Sequence, residues 1–287
     1  MSAANLRVSN REIYNQPDVA AHYAELSYLT DCERHLFDRY IRPGAAVLDL
    51  GVGGGRTTPY LSGQASRYVA VDYAPEMIQA CRRKFPSLEF LVTEASNLAA
   101  FDTCSFDAVV CAFNGLDYVI PDKSRLQCFG ELHRVLRPEG VFVFSSHNPR
   151  SIFMRPVWNR AHVRKIAETF KNFPGAAQAA YLLLSVPVGG RALFRAVWAS
   201  AGRIFRRVLT RAFREGEGYM FDSAHGGLLT HYSTPACTIA ELQEHGFRPL
   251  QILGDDYPRG SGPLTTDWYY YVFSKSKPAR NGDACAS

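Results

Sequence analysis

The sequence of 287 residues has no long uncharged apolar run. A stretch of about 18 such residues would be needed to predict a membrane-spanning helix, and none occurs. The first residues, MSAANLRVSNREIYNQ, also lack the apolar core and the cleavage pattern of a secretory signal. We therefore expect no signal peptide and a cytoplasmic protein.

The cysteines show no pairing pattern. The sequence has seven of them, scattered and odd in number, and no two are spaced as C-x-x-C. This distribution predicts reduced thiols and argues against both a disulfide framework and a zinc site. Carboxylates do not cluster in the way that holds Mg²⁺ either, so we expect no bound metal.

Positive charge is concentrated in one segment. Residues 150–214 contain 13 Lys and Arg side chains against a single acid, Glu168, whereas the rest of the chain holds 19 basic and 26 acidic side chains. The formal net charge of +5 therefore conceals a basic segment within an acidic remainder. Apolar residues recur at helical spacing over residues 196–214 with arginines between them, which predicts an amphipathic helix.

Strands and helices alternate along much of the chain. Nearly continuous apolar strands such as AAVLDLG and YVAVDY are separated by helical stretches, which predicts a parallel sheet covered by helices on both faces. The alternation stops after Arg150 and resumes near Thr238 with a helix and two closely connected strands, which we expect to be antiparallel. The predicted segments are an N-terminal helical segment (1–44), an α/β core (45–149), a basic helical insertion or cap (150–234), a C-terminal completion of the core (235–276) and a disordered tail (277–287).

The stretch VLDLGVGGGRTT joins a predicted strand to a helix through glycines at alternate positions. Gly51 and Gly53 let the backbone approach a ligand closely, and Gly55 lets the next helix begin tightly against the strand. A dinucleotide-binding loop would read G-x-G-x-x-G, but Arg56 occupies the position of its last glycine. The loop therefore predicts a nucleotide-type ligand and disfavours a redox dinucleotide.

An acidic residue closes the second predicted strand. Asp72 ends the apolar run YVAVD, 21 residues after Gly51. A carboxylate at this point accepts hydrogen bonds from both hydroxyls of a ribose, which suits NAD or any other adenosine ligand.

Five blocks of sequence, taken in order, resemble the class I S-adenosylmethionine-dependent methyltransferases. They are VLDLGVGGGRTT, VAVDYAPEMIQAC, TEASNL, FDAVVCAFNGLDYV and ELHRVLRPEGVFVFSSHNP, and the resemblance spans roughly residues 14–148 and 235–275. It implies an α/β, Rossmann-like fold with a seven-stranded, mostly parallel sheet whose last strand, TDWYYYVFSKS, is antiparallel. It also implies S-adenosyl-L-methionine as the cofactor.

The same resemblance implies a set of cofactor-binding positions. Asp49 would lie near the methionine amino group, Asp72 would hold the ribose, and Glu94 would accept from the adenine amino group in place of the family's usual Asp. Tyr23, in the N-terminal segment, either closes over the cofactor or packs on the core. The other positions expected around the cofactor are Gly51, Gly53, Gly55, Tyr73, Met77, Ala95, Phe113 and Asn114.

Methyl transfer from a sulfonium needs alignment, a dry pocket and, for a hydroxyl acceptor, a general base. His147 closes the fifth predicted strand and is the first candidate for that base, with a structural histidine as the alternative. Asp117, after the fourth strand, is the second candidate. His225, His231 and Tyr232 follow the insertion and could reach the pocket, but loop packing is the simpler explanation for each.

The predicted function is methyl transfer from S-adenosylmethionine to a hydroxyl of a small-molecule, saccharide or lipid-like acceptor. N-methylation of a small amine and an NAD-type oxidoreductase are the alternatives. For the basic insertion, three interpretations stay open: a lid, a helix lying on an anionic membrane through residues 196–214, and a site for an anionic acceptor. We expect no nucleic-acid partner, because the segment contains no recognised reader motif.

Overall fold

The computed structural model describes residues 10–148, 216–222, 228–260 and 266–276. The predicted amphipathic helix at 196–214, most of the basic insertion, His225 and the predicted C-terminal tail lie outside these residues.

Helices and strands alternate as the apolar pattern predicts. The helices are α1 (Pro17–Glu25), α2 (Asp31–Tyr40), α3 (Thr58–Gln64), α4 (Pro75–Lys84), α5 (Asp122–Val135) and α6 (Pro235–Glu244). The strands are β1 (Ala46–Leu50), β2 (Arg67–Asp72), β3 (Glu89–Val92), β4 (Phe106–Cys111), β5 (Leu136–His147), β6 (Glu217–Asp222), β7 (Leu228–Ser233), β8 (Phe247–Gly254) and β9 (Trp268–Lys275). A single turn of 3-10 helix, Gly115–Tyr118, follows β4.

Seven strands form one sheet in the order β3-β2-β1-β4-β5-β9-β8. Strands β1 to β5 pair in parallel, and β9 runs antiparallel to both β5 and β8. The prediction of a seven-stranded, mostly parallel sheet with an antiparallel last strand is confirmed. The strand order reverses between β1 and β4, and sheets of this kind bind ligands beyond the carboxyl ends of the strands at such a point.

The sheet is buried on both faces. Along β1, Leu48 packs in one apolar cluster with Leu132 of α5, and the preceding Val47 packs in another with Phe37 of α2. Because successive strand residues face opposite sides, a sheet covered twice needs unbroken apolar strands, which is the pattern in the sequence. Each such side chain contributes about 1.5–3 kcal/mol when fully buried.

Helix α2 begins at a capping box formed by Thr30 and Glu33. The hydroxyl of Thr30 accepts from the backbone N–H of Glu33 at 3.1 Å, and the Glu33 carboxylate accepts from the N–H of Thr30 at 2.9 Å. The same carboxylate accepts two hydrogen bonds from the Arg56 guanidinium, at 2.7 and 2.5 Å. Arg56 thus ties α2 to the glycine-rich loop, and removing it would leave a buried, unpaired Glu33 at a cost of about 3–5 kcal/mol.

The described end of the insertion is a β hairpin. Strands β6 and β7 pair antiparallel from Glu217 opposite Ser233 to Asp222 opposite Leu228. The helical prediction for residues 150–234 is therefore wrong at this end. EGYMFD and LLTHYS include aromatic and β-branched residues, which favour strands, and the helical spacing of residues 196–214 does not extend into them.

Two further observations concern the cysteines and the helices. Five cysteines, Cys32, Cys81, Cys111, Cys128 and Cys237, are free thiols. Among the helices that the structure describes, none has the length and apolar character that a membrane crossing requires.

Candidate active site

The glycine-rich loop between β1 and α3 adopts a backbone that favours glycine. Gly51, Gly53 and Gly55 have φ angles of 68°, 55° and 81°, in the left-handed region. A Cβ on Gly55 would lie 2.8 Å from the ring of Phe85, as expected for a tight start of the following helix. A Cβ on Gly51 would meet no atom within 4 Å, so the backbone at Gly51 faces open space.

Gly54 is a position that the sequence interpretation missed. A Cβ there would collide with the backbone of Tyr23 and Ala24, because the end of α1 lies directly on the loop. The sequence did contain a sign of this contact. Gly51, Gly53 and Gly55 account for the alternate positions of the loop, and Gly54 is an additional glycine that their roles do not explain. The N-terminal segment therefore covers the loop through a backbone contact as well as through side chains.

Asp49 lies beneath the loop with only 1% of its surface exposed. It accepts hydrogen bonds from the hydroxyls of Thr57 at 2.7 Å and Tyr68 at 2.8 Å. Burial raises the pKa of its carboxyl from 3.8 to about 6, against the lowering effect of those hydrogen bonds. In this structure Asp49 holds the loop in place from below.

Asp72 bridges two turns at the carboxyl end of β2. Its carboxylate accepts from the backbone N–H groups of Gly53 and Ala74, both at 2.9 Å. Burial raises its pKa to about 6, and the backbone hydrogen bonds oppose that change. A carboxylate has about four acceptor positions, so these bonds leave capacity for the ribose hydroxyls that the resemblance implies.

Aromatic residues from the N-terminal segment surround the turn after β2. The ring centroid of Tyr14 lies 5.9 Å from that of Tyr23 and 6.2 Å from that of Tyr73. Met77 is buried in a small apolar cluster with Val19 of α1 and is packed by both Tyr14 and Tyr23. The three predicted residues Tyr23, Tyr73 and Met77 are thus brought together, and Tyr23 contacts both the core and the loop.

The turn after β3 is more exposed. Glu94 is half-exposed, and its carboxylate lies 4.0 Å from the guanidinium of Arg11. Ala95 is partly buried against the main core cluster. Both residues lie after the strand next to β2, on the same edge of the sheet as Asp72.

The turn after β4 is strained. Phe113 and Asn114 have φ angles of 58° and 62°, a conformation that non-glycine residues seldom adopt and that is concentrated at functional sites. The Phe113 ring lies 4.9 Å from the guanidinium carbon of Arg56. The N–H of Asn114 donates to the hydroxyl of Ser145 at 2.8 Å, which fixes the turn against β5.

The two catalytic candidates form a pair. Nδ1 of His147 lies 2.8 Å from the Asp117 carboxylate, which also accepts from the backbone N–H of His147 at 2.7 Å and from the hydroxyl of Ser146 at 2.7 Å. Asp117 has 2% of its surface exposed. Nε2 of His147 lies 3.2 Å from Nδ2 of Asn114. In the neutral tautomer that carries its proton on Nδ1, His147 donates a hydrogen bond from Nδ1 to Asp117. Nε2 is then unprotonated and can accept a hydrogen bond.

The hairpin closes the other side of His147. The ring of Tyr232, on β7, lies 5.1 Å from the imidazole, and Tyr118 meets the imidazole edge-on at 6.3 Å. His231 is buried and lies 5.3 Å from the ring of Tyr219, and burial together with Arg125 lowers its pKa well below 6.5. Of the two β7 residues singled out in the sequence, Tyr232 contacts the candidate base, whereas His231 packs within the hairpin.

Buried polar groups at this site lack partners among the described residues. They are the hydroxyl of Tyr73 and Oδ1 of Asn114. Such groups are rare in folded proteins because each costs about 1–3 kcal/mol. Together with the open backbone at Gly51, they fit the adenosine cofactor that the resemblance implies.

Comparison with known proteins agrees with this geometry. Residues 47–140 match the family model described as a methyltransferase domain. The chain is similar to the demethylmenaquinone methyltransferase of Beutenbergia cavernae, with 35% identity over 117 residues, which are 41% of this chain and 44% of that protein. It is also similar to the ubiquinone biosynthesis O-methyltransferase of Xanthomonas oryzae pv. oryzae, with 33% identity over 109 residues, 37% of this chain and 44% of that protein. The chain thus spans less than half the length of these curated relatives.

Solved structures share the fold over most of the chain. The 1,6-didemethyltoxoflavin-N1-methyltransferase of Burkholderia thailandensis, solved with S-adenosylhomocysteine, aligns with a TM-score of 0.55 at 19% identity, over 96% of this chain and 89% of that one. The CcbJ methyltransferase of Streptomyces caelestis aligns with a TM-score of 0.55 at 15% identity, over 92% of this chain and 98% of that one. Residues 47–140 are thus a methyltransferase domain, and the chain is built on the class I S-adenosylmethionine-dependent methyltransferase fold.

Proposed function

We propose that the protein transfers the methyl group of S-adenosylmethionine to a hydroxyl of a small-molecule, saccharide or lipid-like acceptor. The observation that supports a hydroxyl is the His147–Asp117 pair, with Nδ1 held 2.8 Å from the carboxylate at the carboxyl ends of β4 and β5. These strands adjoin β1, whose end carries the glycine-rich loop. A general base beside the methyl donor is what a hydroxyl acceptor requires.

Each residue of the pair has a distinct task. Asp117 fixes the orientation of the imidazole and stabilises the positive charge that develops when Nε2 takes a proton. Asn114 holds Nε2 at 3.2 Å before the acceptor arrives. When bound, S-adenosylmethionine supplies a methyl group on a sulfonium, and the protein aligns the acceptor with it and excludes water.

The relatives offer support for both acceptor atoms. One is named an O-methyltransferase, and the toxoflavin-precursor enzyme is named an N-methyltransferase. The catalytic pair favours the hydroxyl, since a neutral amine already carries a lone pair for attack and needs no base at the moment of transfer. An NAD-type oxidoreductase is disfavoured because Arg56 is held by Glu33 where a dinucleotide loop has its last glycine.

Formation of S-adenosylhomocysteine with a panel of hydroxyl and amine acceptors tests this function. We expect His147→Gln and Asp117→Asn to reduce hydroxyl turnover by about 10²–10⁴-fold. In Asp117→Asn the amide nitrogen can face the Ser146 hydroxyl, so the contacts are kept and the charge alone is lost. Cofactor affinity by calorimetry should stay within about threefold, since neither side chain is proposed to bind the cofactor.

The matched control is Asp102→Asn, on an exposed turn before β4. It should leave turnover unchanged. Methylation of amines alone, with His147→Gln fully active, would overturn the hydroxyl proposal. Tight binding of NADH without binding of S-adenosylmethionine would overturn the methyltransferase proposal altogether.

A further inference from the structure

Arg56 is a buried arginine beside the site that neither the cofactor-binding positions nor the catalytic pair account for. It follows the glycine-rich loop, and 7% of its surface is exposed. One terminal nitrogen donates to the Tyr28 carbonyl at 2.8 Å and to Glu33 at 2.7 Å, and the other donates to Glu33 at 2.5 Å. Guanidinium N–H groups donate in the plane of the group, so the two flat faces remain available for contacts with rings.

Two aromatic rings lie within cation–π distance of this guanidinium. The guanidinium carbon of Arg56 is 4.9 Å from the centroid of the Phe113 ring and 5.3 Å from that of the Tyr28 ring. Such contacts are stronger where water is excluded. Tyr28 is 48% exposed, whereas Phe113 is half-buried, so the Phe113 contact is the better shielded of the two. Arg56 therefore joins the glycine-rich loop to the turn after β4.

The turn after β4 depends on contacts from other elements. Phe113 and Asn114 have φ angles of 58° and 62°, and such a conformation persists only where the surrounding structure holds it. The Phe113 ring contacts Arg56 and meets Trp268 of β9 edge-on at 6.3 Å. The N–H of Asn114 donates to the hydroxyl of Ser145 on β5. Arg56 is thus the contact that comes from the side of the glycine-rich loop.

The conformation of this turn places the amide of Asn114 at the candidate base. Nδ2 of Asn114 lies 3.2 Å from Nε2 of His147, the atom proposed to take the acceptor proton. A backbone rotation at Phe113 would therefore move both the ring expected beside the cofactor and the amide beside the base. A displacement of about 1 Å at a reacting site can reduce turnover by about 10²-fold.

Glu33 makes an arginine compatible with this place in the site. The sulfonium of S-adenosylmethionine is positively charged, and an unpaired guanidinium beside Phe113 would repel it. Glu33 is 1% exposed, and its carboxylate offsets the charge of Arg56 through two parallel hydrogen bonds. The pair therefore supplies a rigid, planar group at the turn with little net charge.

We infer that Arg56 is a positioning residue for methyl transfer, because its guanidinium holds the Phe113 turn, and through it Asn114, in the conformation of the site. This inference rests on the proposed methyl transfer and adds a residue that acts on it through the turn. It also gives Arg56 a task at the position where a dinucleotide loop has its last glycine. A lysine at this position would keep a charge for Glu33 but has no planar group for the Phe113 ring.

Hydrogen exchange of backbone amides, followed by NMR in the full chain with S-adenosylhomocysteine, tests the positioning. In Arg56→Lys the Asn114 amide should exchange at least tenfold faster, because its bond to Ser145 opens more often. The Gly53 amide, which donates to Asp72 within the same loop as Arg56, should exchange as in the parent chain. Affinity for S-adenosylhomocysteine by calorimetry should stay within about threefold, while turnover of an accepted substrate should fall about 10–100-fold.

Two further variants separate the ring contact from other effects. Phe113→Leu should accelerate exchange at Asn114 to a similar extent, and Arg56→Lys in that background should add less than about twofold, because the contact is already lost. Phe113→Leu leaves the ion pair of Arg56 intact, so it provides the measurement should Arg56→Lys fail to fold. Arg34→Lys is the matched control. Arg34 is exposed on α2, 5.5 Å from the Tyr60 ring, and its replacement should leave exchange at Asn114 unchanged.

The outcomes distinguish this inference from the function on which it rests. Unchanged exchange at Asn114 in Arg56→Lys and Phe113→Leu would overturn the positioning role and leave methyl transfer standing. Equal acceleration at Asn114 and Gly53 would also overturn it, since Arg56 would then stabilise the loop as a whole. Full turnover by Arg56→Lys despite faster exchange at Asn114 would overturn its role in the transfer. Failure of the parent chain to form S-adenosylhomocysteine with any acceptor, despite cofactor binding, would overturn the proposed function itself.

Discussion

At the scale of single residues, the site contains two buried carboxylates on neighbouring strands. Asp49 in β1 pairs in register with Ala70, two residues before Asp72 in β2. Burial raises the pKa of each carboxyl to about 6. Such groups destabilise the fold at neutral pH, and they are retained where a bound ligand needs them.

The sign of the effect follows from proton linkage. A carboxyl with a folded pKa of about 6 and an unfolded pKa of 3.8 binds its proton more tightly in the folded state. Its contribution to stability is therefore full below about pH 4 and is lost as the pH rises through 6. For Asp49 the change over this window is on the order of 3 kcal/mol.

Asp49→Asn isolates this effect. The amide oxygen can accept from both Thr57 and Tyr68, as the carboxylate oxygen does, so the geometry is preserved. We expect urea unfolding to show a variant that gains stability relative to the parent chain as the pH rises from 4 to 7.5. Asp102→Asn, an exposed control, should show no such trend. A difference that stays constant with pH would contradict the raised pKa of Asp49.

Asp72→Ala tests the ribose assignment. We expect the affinity for S-adenosylmethionine to fall at least tenfold by calorimetry, since a hydrogen bond to a charged group contributes about 1.5–3 kcal/mol. Part of that loss reflects the glycine-rich loop, because Gly53 donates to the same carboxylate. An S-adenosylmethionine analogue that lacks the ribose hydroxyls should bind the parent chain more weakly than the full cofactor does. This difference in affinity should be smaller in the Asp72→Ala variant. An unchanged affinity for the full cofactor would mean that the ribose assignment is wrong.

At the scale of elements, the end of α1 lies on the glycine-rich loop. Val19 and Ala20 of α1 pack against Ala74 and Met77 beside the turn after β2. The contact at Gly54 requires the absence of a side chain, because a Cβ would collide with the backbone of Tyr23. Helix α1 can therefore lie on the loop in this position only when residue 54 is glycine.

Gly54→Ala should displace α1. We expect the affinity for S-adenosylmethionine to fall at least tenfold and limited proteolysis to cut the N-terminal segment faster. Gly63→Ala, at an exposed position of α3 with no atom within 4 Å of the added Cβ, is the matched control. It should leave binding unchanged and raise stability by about 0.5–1 kcal/mol, the difference in helix propensity. If Gly54→Ala binds the cofactor as tightly as the parent chain does, α1 does not contribute to cofactor binding.

Elements with strong periodicity could be predicted from the sequence, and assembled contacts could not. The strands, the capping box at Thr30 and the antiparallel β9 were predictable, because apolar period and local capping are encoded within a few residues. The sequence placed His147 and Asp117 at strand ends but did not reveal their hydrogen bond, which depends on the 3-10 turn after β4. The hairpin was missed, because β6 and β7 follow a segment with helical spacing. Tyr232 was among the residues that could reach the pocket, but its contact with His147 depends on the hairpin and could not be deduced.

At the scale of the whole molecule, charge is divided between two parts of the chain. Residues 150–214 carry a balance of +12, from 13 basic and one acidic side chain, and the rest carries −7, from 19 basic and 26 acidic ones. The basic part lies outside the described residues, so contact with an anionic membrane through 196–214 stays a prediction. An acidic remainder would be repelled by such a surface, and any attraction must therefore come from the basic segment.

Vesicle binding tests this prediction. We expect the full chain to co-sediment with vesicles containing phosphatidylserine and to stay in solution with neutral phosphatidylcholine vesicles. Arg206→Glu/Arg207→Glu should weaken binding at least 30-fold, because each arginine near such a surface contributes about 1 kcal/mol and reversal adds repulsion. Raising the salt concentration should have the same effect, since the attraction is screened beyond a Debye length of about 8–10 Å.

A charge-matched control separates local from global attraction. Arg39→Glu/Arg42→Glu changes the net charge by the same amount at exposed positions of the acidic part. If membrane contact is made by residues 196–214, this control should bind vesicles almost as well as the parent chain. Equal losses in both variants would show that net charge alone attracts the protein. Absence of binding by the parent chain would reject the membrane prediction and leave the lid and the anionic-acceptor site as the interpretations of the basic segment.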